Sequence, residues 1–380
     1  MEIKKSNAKL LFIINNLNFF LSHRLPVALA AKRSGFEVHI AAPHNNAEDK
    51  ILKEGFYFHP VRIYRSSINP FKEILSFCDL YRLQKKLNPN IVHLVTIKPV
   101  IYGGISAQFA KVKNIVAAIP GLGSAFRENG FKGWLLWKVI SCLYKAALHK
   151  GNVTVIFQNG DDKKVITELC KLSEDKTTII PGSGVNLKEY QFLPEQEGAP
   201  VLIMASRLLK DKGVSEFINA AKILKNRGVS AEFWLAGEID PENPTSITVN
   251  ELNEWKKEGI VKILGFRSDI AALFSKSNIV IFPSSYREGL PKVLVEAAAC
   301  GRAVITTDAP GSRDAIIPDK TGILVPVRNA VAVADAAEYL INNPEIRKAF
   351  GKAGREFAEQ VFDIENIVEE HLKIYRKLIS

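Results

Sequence analysis

Residues 278–308 read NIVIFPSSYREGLPKVLVEAAACGRAVITTD. The run Ile279–Phe282 is apolar and largely β-branched, as a strand covered on both faces must be, and AVITTD at 303–308 is a second such run. Between them the turn Arg287-Glu288-Gly289-Leu290 leads into Pro291, whose missing N–H and fixed φ suit the first position of a helix. A helix is expected over 291–300. Strand, turn, helix and strand in this order form a crossover unit of a parallel sheet.

The same alternation extends in both directions. VLIMAS, AEFWLAG and IVKILGF before the stretch, and ILVPV after it, read as strands, with helices expected at 213–227, 269–277 and 330–342. In the first half KLLFIIN (9–15), FEVHIAAP (36–43), NIVHLVT (90–96), NIVAAIPG (114–121), NVTVIF (152–157) and TTIIPGSG (177–184) are strands. One helix is expected over 22–34, and another carries Leu75, Leu80, Leu83 and Leu87 on one face. MEIKKSNAKLLFIINN, basic and then apolar like a short signal peptide, is read as a first β-strand and not a targeting segment, because its apolar run is brief, lacks a small-residue cleavage site and ends in Asn15-Asn16. The Pro/Glu/Gly-rich stretch Leu193–Pro200 separates the halves, predicting α/β domains at 1–194 and 195–380. A ligand cleft is expected at the carboxyl ends of the strands, between the two Rossmann-like domains. The charged, helical tail after Pro344 either braces the first domain or packs on its own.

With 47% hydrophobic and 24% charged residues, the 380-residue chain is neither disordered nor a polytopic membrane protein. Cys78, Cys142, Cys170 and Cys300 are widely spaced, which argues against a zinc site or a disulfide framework. Residues 1–194 hold 27 Lys+Arg against 14 Asp+Glu, whereas 195–380 hold 24 against 26. The first domain therefore meets something anionic: nucleic acid, an acidic membrane surface or a phosphorylated substrate.

The second half offers the chemistry. N–H groups of Lys292 and Val293 at a helix start favour phosphate, and Gly289 lets backbone approach a ligand. Glu288 and Glu296 can flank one ligand, one holding the hydroxyls of a hexose and the other those of a ribose. In VLIMASRLLKDKGVSEFINAA (201–221), Arg207 and Lys212 follow a strand and precede a helix, where a rigid fork and a mobile point charge can neutralise a diphosphate. Asp161-Asp162 is read as a helix cap, not a metal pair; no metal is expected.

SRLLKDKG followed by REGLPKVLVEAAACGRAVITTDAPGSRD resembles family 4 of the retaining glycosyltransferases, over essentially the whole chain. The resemblance implies the GT-B fold, two Rossmann-like domains facing each other across a cleft. It implies that Arg207 and Lys212 clamp the donor diphosphate, Glu288 contacts the transferred sugar and Glu296 the ribose. Gly289 and Leu290, with the N–H groups of Lys292 and Val293, complete the expected donor site. Gly265-Phe266-Arg267 fall where the family holds the nucleobase, with core packing the alternative for Phe266.

The first half lacks the common Gly-Gly turn after its first strand. Its loop Asn15–Arg24, RSSINPF (65–71) and GLGSAFRENGF (121–131) resemble the subgroup that extends polyprenyl-diphosphate-linked sugars, bacterial N-acetylgalactosaminyltransferases acting on an undecaprenyl-diphosphate amino-sugar in particular. Asn18, His23, Arg24, Lys98, Gly121 and Ser124 are then expected at the acceptor, although Lys98 stands where several relatives have a histidine. For His23 and Arg24 the alternative is an ordinary first helical turn. The resemblance implies a UDP-sugar as co-substrate, a UDP-linked N-acetylhexosamine such as UDP-N-acetylgalactosamine.

GFKGWLLWKVISCLYKAALHKG (130–151) mixes Trp134, Trp137 and aliphatic residues with lysines, and is too interrupted to span a bilayer. It is either a helix lying at an anionic headgroup layer or a buried one. The first reading places the protein in the cytoplasm, peripheral on the inner face of the plasma membrane. Other classes remain: a GT-B epimerase, or a nucleotide sensor with a basic half. Nucleic acid as a partner is disfavoured, since no recognisable motif or stacking platform is present.

Overall fold

The computed structural model describes residues 8–64, 67, 69–123 and 131–380, excepting the side chains of 131–133. Arg65, Ser66, Ile68 and Ser124 lie outside the described residues, as does most of the 121–131 loop. The chain divides into two compact units, Met1–Ser183 with Glu365–Ser380, and Gly184–Ile364.

The first unit contains β1 (Lys9–Ile14), α1 (Leu17–His23), α2 (Leu25–Arg33), β2 (Glu37–Ala42), α3 (Glu48–Lys53), β3 (Tyr57–Pro60) and α4 (Pro70–Leu87). It continues with β4 (Ile91–Val95), α5 (Gly104–Phe109), β5 (Asn114–Ile119), α6 (Phe131–Leu148), β6 (Val153–Phe157), α7 (Gly160–Cys170) and β7 (Thr177–Ile179). The second unit contains β8 (Val201–Ala205), α8 (Val214–Asn226), β9 (Glu232–Ala236), α9 (Val249–Glu258), β10 (Lys262–Gly265) and α10 (Ile270–Ser275). Then follow β11 (Ile279–Phe282), α11 (Lys292–Ala299), β12 (Ala303–Thr307), β13 (Gly322–Val325), α12 (Ala330–Asn342) and α13 (Pro344–Phe357). The last helix, α14 (Ile364–Ile379), belongs from Glu365 onward to the first unit.

Both sheets are parallel, as their apolar strands require. Their orders are β3-β2-β1-β4-β5-β6-β7 and β10-β9-β8-β11-β12-β13. The direction of winding reverses between β1 and β4 and again between β8 and β11, and crevices open at such switch points beyond the carboxyl ends of the strands. Each sheet is buried: all five residues of β4 and all four of β11 are inaccessible, and Phe217, Leu224 and Leu294 pack onto the second sheet from its helices. Each such side chain contributes about 1.5–3 kcal/mol by leaving water.

Several local departures have simple causes. The expected helix over 22–34 is two helices meeting at Arg24, because Pro26 cannot donate to the preceding turn. The strand expected over 177–184 ends at Ile179, since Pro181 has no N–H and Gly182 and Gly184 turn the chain at positive φ. Pro291 is the residue preceding α11 rather than its first member. Helix α7 is capped by Asn159, whose side chain accepts from Asp162 N–H at 2.8 Å, so Asp161-Asp162 lie in the first turn instead.

The chain enters the second unit at Gly184, ahead of the Leu193–Pro200 stretch, because Val185 exchanges backbone bonds with Phe362 and Ile364 at 2.8 and 3.1 Å. The tail divides. Helix α13 packs against α11 and β12, whereas α14 buries His371, Leu372 and Tyr375 in the first unit, where Tyr375 meets His93 of β4.

Candidate active site

At the switch point of the second sheet, the residues after β8 and β11 are stitched together. Ser285 N–H donates to the Asp211 carbonyl at 2.9 Å, and Ser284 Oγ donates to the same oxygen at 3.2 Å. Gly213, at φ 83°, lets this turn lie against Pro283; a Cβ there would collide with the Pro283 carbonyl. Gly311 passes as closely beneath the carbonyls of Glu288 and Gly289.

This scaffold brings Lys212 onto Glu288. The two side chains, 14% and 12% exposed, form a direct ion pair, and Ser284 Oγ lies 3.1 Å from Glu288 Oε1, an alternative acceptor for its single hydroxyl proton. The rings of Phe282 and Tyr286 lie 5.6 and 5.1 Å from the Lys212 ammonium, within range of a cation–π attraction.

Beside it a cavity of about 240 Å³ lies at the carboxyl ends of β8, β9 and β10 and the start of α11. Arg207, Phe266, Arg267, Val293 and Glu296 line it, together with Ser206, Gly237 and Glu238. Five of the residues expected at the donor are thus brought together. Gly265, Gly289, Leu290, Lys292, Lys212 and Glu288 are not among its lining residues. Phe266 is 69% exposed, which excludes the core-packing alternative and leaves an aromatic face available at the cavity.

The charges of the cavity are balanced locally. Arg207 Nη1 lies 2.6 Å from Asp240 Oδ2, and Arg267 Nε donates to Asp269 Oδ1 at 2.7 Å. Glu296 is 7% exposed; burial pushes its carboxyl above the usual range, while Lys292 at 3.3 Å and the Tyr190 hydroxyl at 2.8 Å act in the opposite direction. The arrangement can hold a polyanion against cations and offer carboxylates to hydroxyl groups.

In the first unit the expected acceptor residues follow β1, β4 and β5, three neighbouring strands of the sheet, but their side chains differ in orientation. Asn18 is exposed on the first turn of α1, and His23 stacks on Phe19 at 4.0 Å with Nδ1 2.6 Å from Ser22 Oγ. Arg24 is turned inward and only 2% exposed, with its Nη1 on the His23 carbonyl at 3.1 Å, and desolvation lowers its guanidinium to about 10. Lys98 donates to the Tyr64 carbonyl and to Glu73 Oε1, each at 2.6 Å, so its ammonium braces the loop before α4. Gly121, at φ 125°, follows β5. A second cavity of about 410 Å³, lined by His44, Arg62, Tyr64 and Asp79 among others, lies beyond β2 and β3.

Tyr190, Asp240 and Glu238 stand at this site without having been expected there. Asp240 and Glu238 follow the strand AEFWLAG, where a strand-end signal was present. Tyr190 reaches Glu296 across 106 residues, and no local pattern announces such a contact.

Residues 186–357 match the family described as glycosyl transferases group 1, and residues 9–159 match glycosyl transferase 4-like. The chain is 31% identical to the N,N'-diacetylbacillosaminyl-diphospho-undecaprenol alpha-1,3-N-acetylgalactosaminyltransferase of Campylobacter jejuni, over 95% of this chain and 98% of that protein. Among solved structures, a glycosyltransferase from Rickettsia africae superposes with a TM-score of 0.80 at 21% identity, covering 99% of each chain. Anabaena HepE in complex with UDP-glucose superposes with a TM-score of 0.77 at 17% identity, covering 97% of this chain and 99% of that one.

Proposed function

The chain belongs to the group 1, family 4-like glycosyltransferases and has the GT-B fold, and from that premise we propose that it moves a sugar from a UDP-sugar to a polyprenyl-diphosphate-linked sugar. The donor sugar is read as an N-acetylhexosamine, N-acetylgalactosamine first among them, after the Campylobacter relative's name. One observation carries the reading: Arg207 and Glu296 on a cavity at the switch point, with Lys212 and Glu288 on the adjoining turn. That HepE was solved with UDP-glucose supports the choice of nucleotide.

In this reading the uracil lies on Phe266 beside Arg267, the ribose on Glu296, and the diphosphate on Arg207, Lys212 and the start of α11, while Glu288 takes the transferred hexose. The transfer proceeds with retention, by front-face displacement. The bond from the anomeric carbon to the diphosphate oxygen breaks as the acceptor hydroxyl oxygen bonds the same face, and the hydroxyl proton passes to the departing diphosphate. Arg207 and Lys212 stabilise the charge that develops on that leaving group, the task a divalent metal performs elsewhere. Activity unchanged by EDTA would agree with this assignment.

The acceptor is read onto the first unit, near Asn18, His23, Gly121 and Ser124. Its lipid brings the enzyme to the inner face of the plasma membrane. Among the described residues no helix is long and apolar enough to cross a membrane. Trp134, Leu135 and Val139 of α6 are each about half exposed, and Lys138 lies over the Trp134 ring at 3.9 Å. Phe71 and Ile74 on the first turns of α4 are exposed as well. Both helices begin at the carboxyl edge of the first sheet, so these apolar residues support docking on lipid with lysines toward anionic headgroups.

Screening sugar nucleotides against purified polyprenyl-diphosphate sugars, with the product identified by mass spectrometry, tests the proposal. UDP released only when the lipid-linked acceptor is present supports transfer; release without acceptor, or conversion of the free donor, contradicts it.

A further inference from the structure

Tyr190 lies on the segment through which the chain enters the second unit, and its ring is buried there. Its hydroxyl donates to Glu296 Oε1 at 2.8 Å, and Lys292 Nζ lies 3.3 Å from the same oxygen. Its backbone is fixed as well: Arg355 Nη1 donates to the Tyr190 carbonyl at 2.8 Å and to the Ala299 carbonyl at 2.7 Å. Ala299 ends α11, the helix that carries Glu296, so donor and acceptor of the Tyr190–Glu296 bond are tied to one element.

We propose that Tyr190 is a positioning residue for nucleotide recognition: by occupying Oε1 it presents Oε2 of Glu296 to the vicinal hydroxyls of the donor ribose. The inference rests on the reading of Glu296 as the ribose carboxylate. A vicinal diol brings two O–H donors, which an ionised carboxylate accepts and a protonated one meets with a competing donor. Burial works against ionisation at this site, and the phenol and Lys292 work for it. Lys292, Tyr190, Glu189 and Cys300 act on Glu296 from its own helix and the entering segment, and Arg207, Glu238 and Arg267 share its cavity. With Tyr190 lacking its hydroxyl, Glu296 holds its proton to higher pH, and ribose recognition fails earlier on acidification.

The test is calorimetric titration of UDP from about pH 5 to about pH 8 into the wild type, Tyr190→Phe and Glu296→Gln, after thermal melting has shown each to be folded. The wild type should lose affinity toward acid. In Tyr190→Phe that loss should move toward neutral pH, with UDP bound about tenfold more weakly on the acid side, the worth of one hydrogen bond to a charged group. A 3-fluorotyrosine at 190, a stronger donor, should move it the opposite way. Glu296→Gln should bind weakly with a flattened profile. A Tyr190→Phe profile superposable on the wild type, or lowered equally at every pH, overturns the positioning role while a weakened Glu296→Gln leaves the ribose reading standing. Wild-type affinity in Glu296→Gln overturns both.

Discussion

The Lys212 ammonium rests on the Glu288 carboxylate, and each side chain is less than 15% exposed. The cation assigned to the diphosphate and the carboxylate assigned to the hexose thus neutralise one another. Removing either alone strands a partly buried charge, at a cost of about 3 kcal/mol. Lys212→Met and Glu288→Gln should each lower the denaturation midpoint, and the double variant should regain most of the lost stability without regaining transfer. Urea unfolding beside a turnover assay separates the two effects. A double variant as unstable as the singles would mean that the pair is not the source of the loss.

Arg207 presents the contrasting case. Its partner bond to Asp240 is short, but the guanidinium side chain is 46% exposed, so the pair contributes under about 1 kcal/mol. Arg207→Ala should therefore leave the melting temperature nearly unchanged while lowering kcat about a hundredfold, the usual effect of removing one stabiliser of developing charge. Steady-state kinetics and differential scanning fluorimetry on one preparation check both halves.

The buried cluster beneath α14 predicts acid sensitivity. Burial, with Arg24 nearby, pushes His371 down to about 3 and holds His93 well below its usual range; Tyr375 is the other titratable group there. Both folded-state values are depressed below the unfolded 6.5, so the unfolded chain binds the extra protons. Stability is unaffected by these groups above about pH 6.5 and declines as pH falls below it, His371 alone contributing up to about 1.4 kcal/mol per unit down to about pH 3 and His93 acting in the same direction. Chemical denaturation at stepped pH should show this slope, and His371→Leu should reduce it.

Membrane docking is read in a flotation assay. Replacing Phe71, Ile74 and Leu135 together by Ser should shift the protein out of the fraction bound to vesicles containing anionic lipid. Turnover on an acceptor with a short, water-soluble prenyl chain should remain as in the wild type. Undiminished flotation would remove α4 and α6 from the docking surface.

Much of this was legible in the residues. Among the described residues thirteen strands order the two sheets, and twelve of them are apolar runs that alternate with helices in the sequence. The exception is β3, whose four residues are part-exposed at the sheet edge and so lack the apolar signature. Helix α9 was equally invisible, because it buries no residue and stands on its Thr248–Glu251 capping box. Arg207 and Glu296 could be picked out as cavity residues because strand ends and helix starts are marked by glycine, proline and charge, whereas Phe266 was expected there only through the family resemblance. Asp240 and Tyr190 could not be assigned, since their partners are set by packing between distant segments. Arg24 and Lys98 show the converse: charge at a strand-end loop does not reveal whether the side chain turns outward or inward.

The most direct test compares UDP with uridine by titration calorimetry. Cations that grip the diphosphate should give the wild type at least a hundredfold preference for UDP, about 3 kcal/mol from two charge-assisted contacts. In the Arg207→Gln/Lys212→Met/Glu288→Gln variant, which leaves no stranded charge at that pair, the preference should shrink to less than about tenfold. A preference that survives intact would place the diphosphate elsewhere and contradict the account.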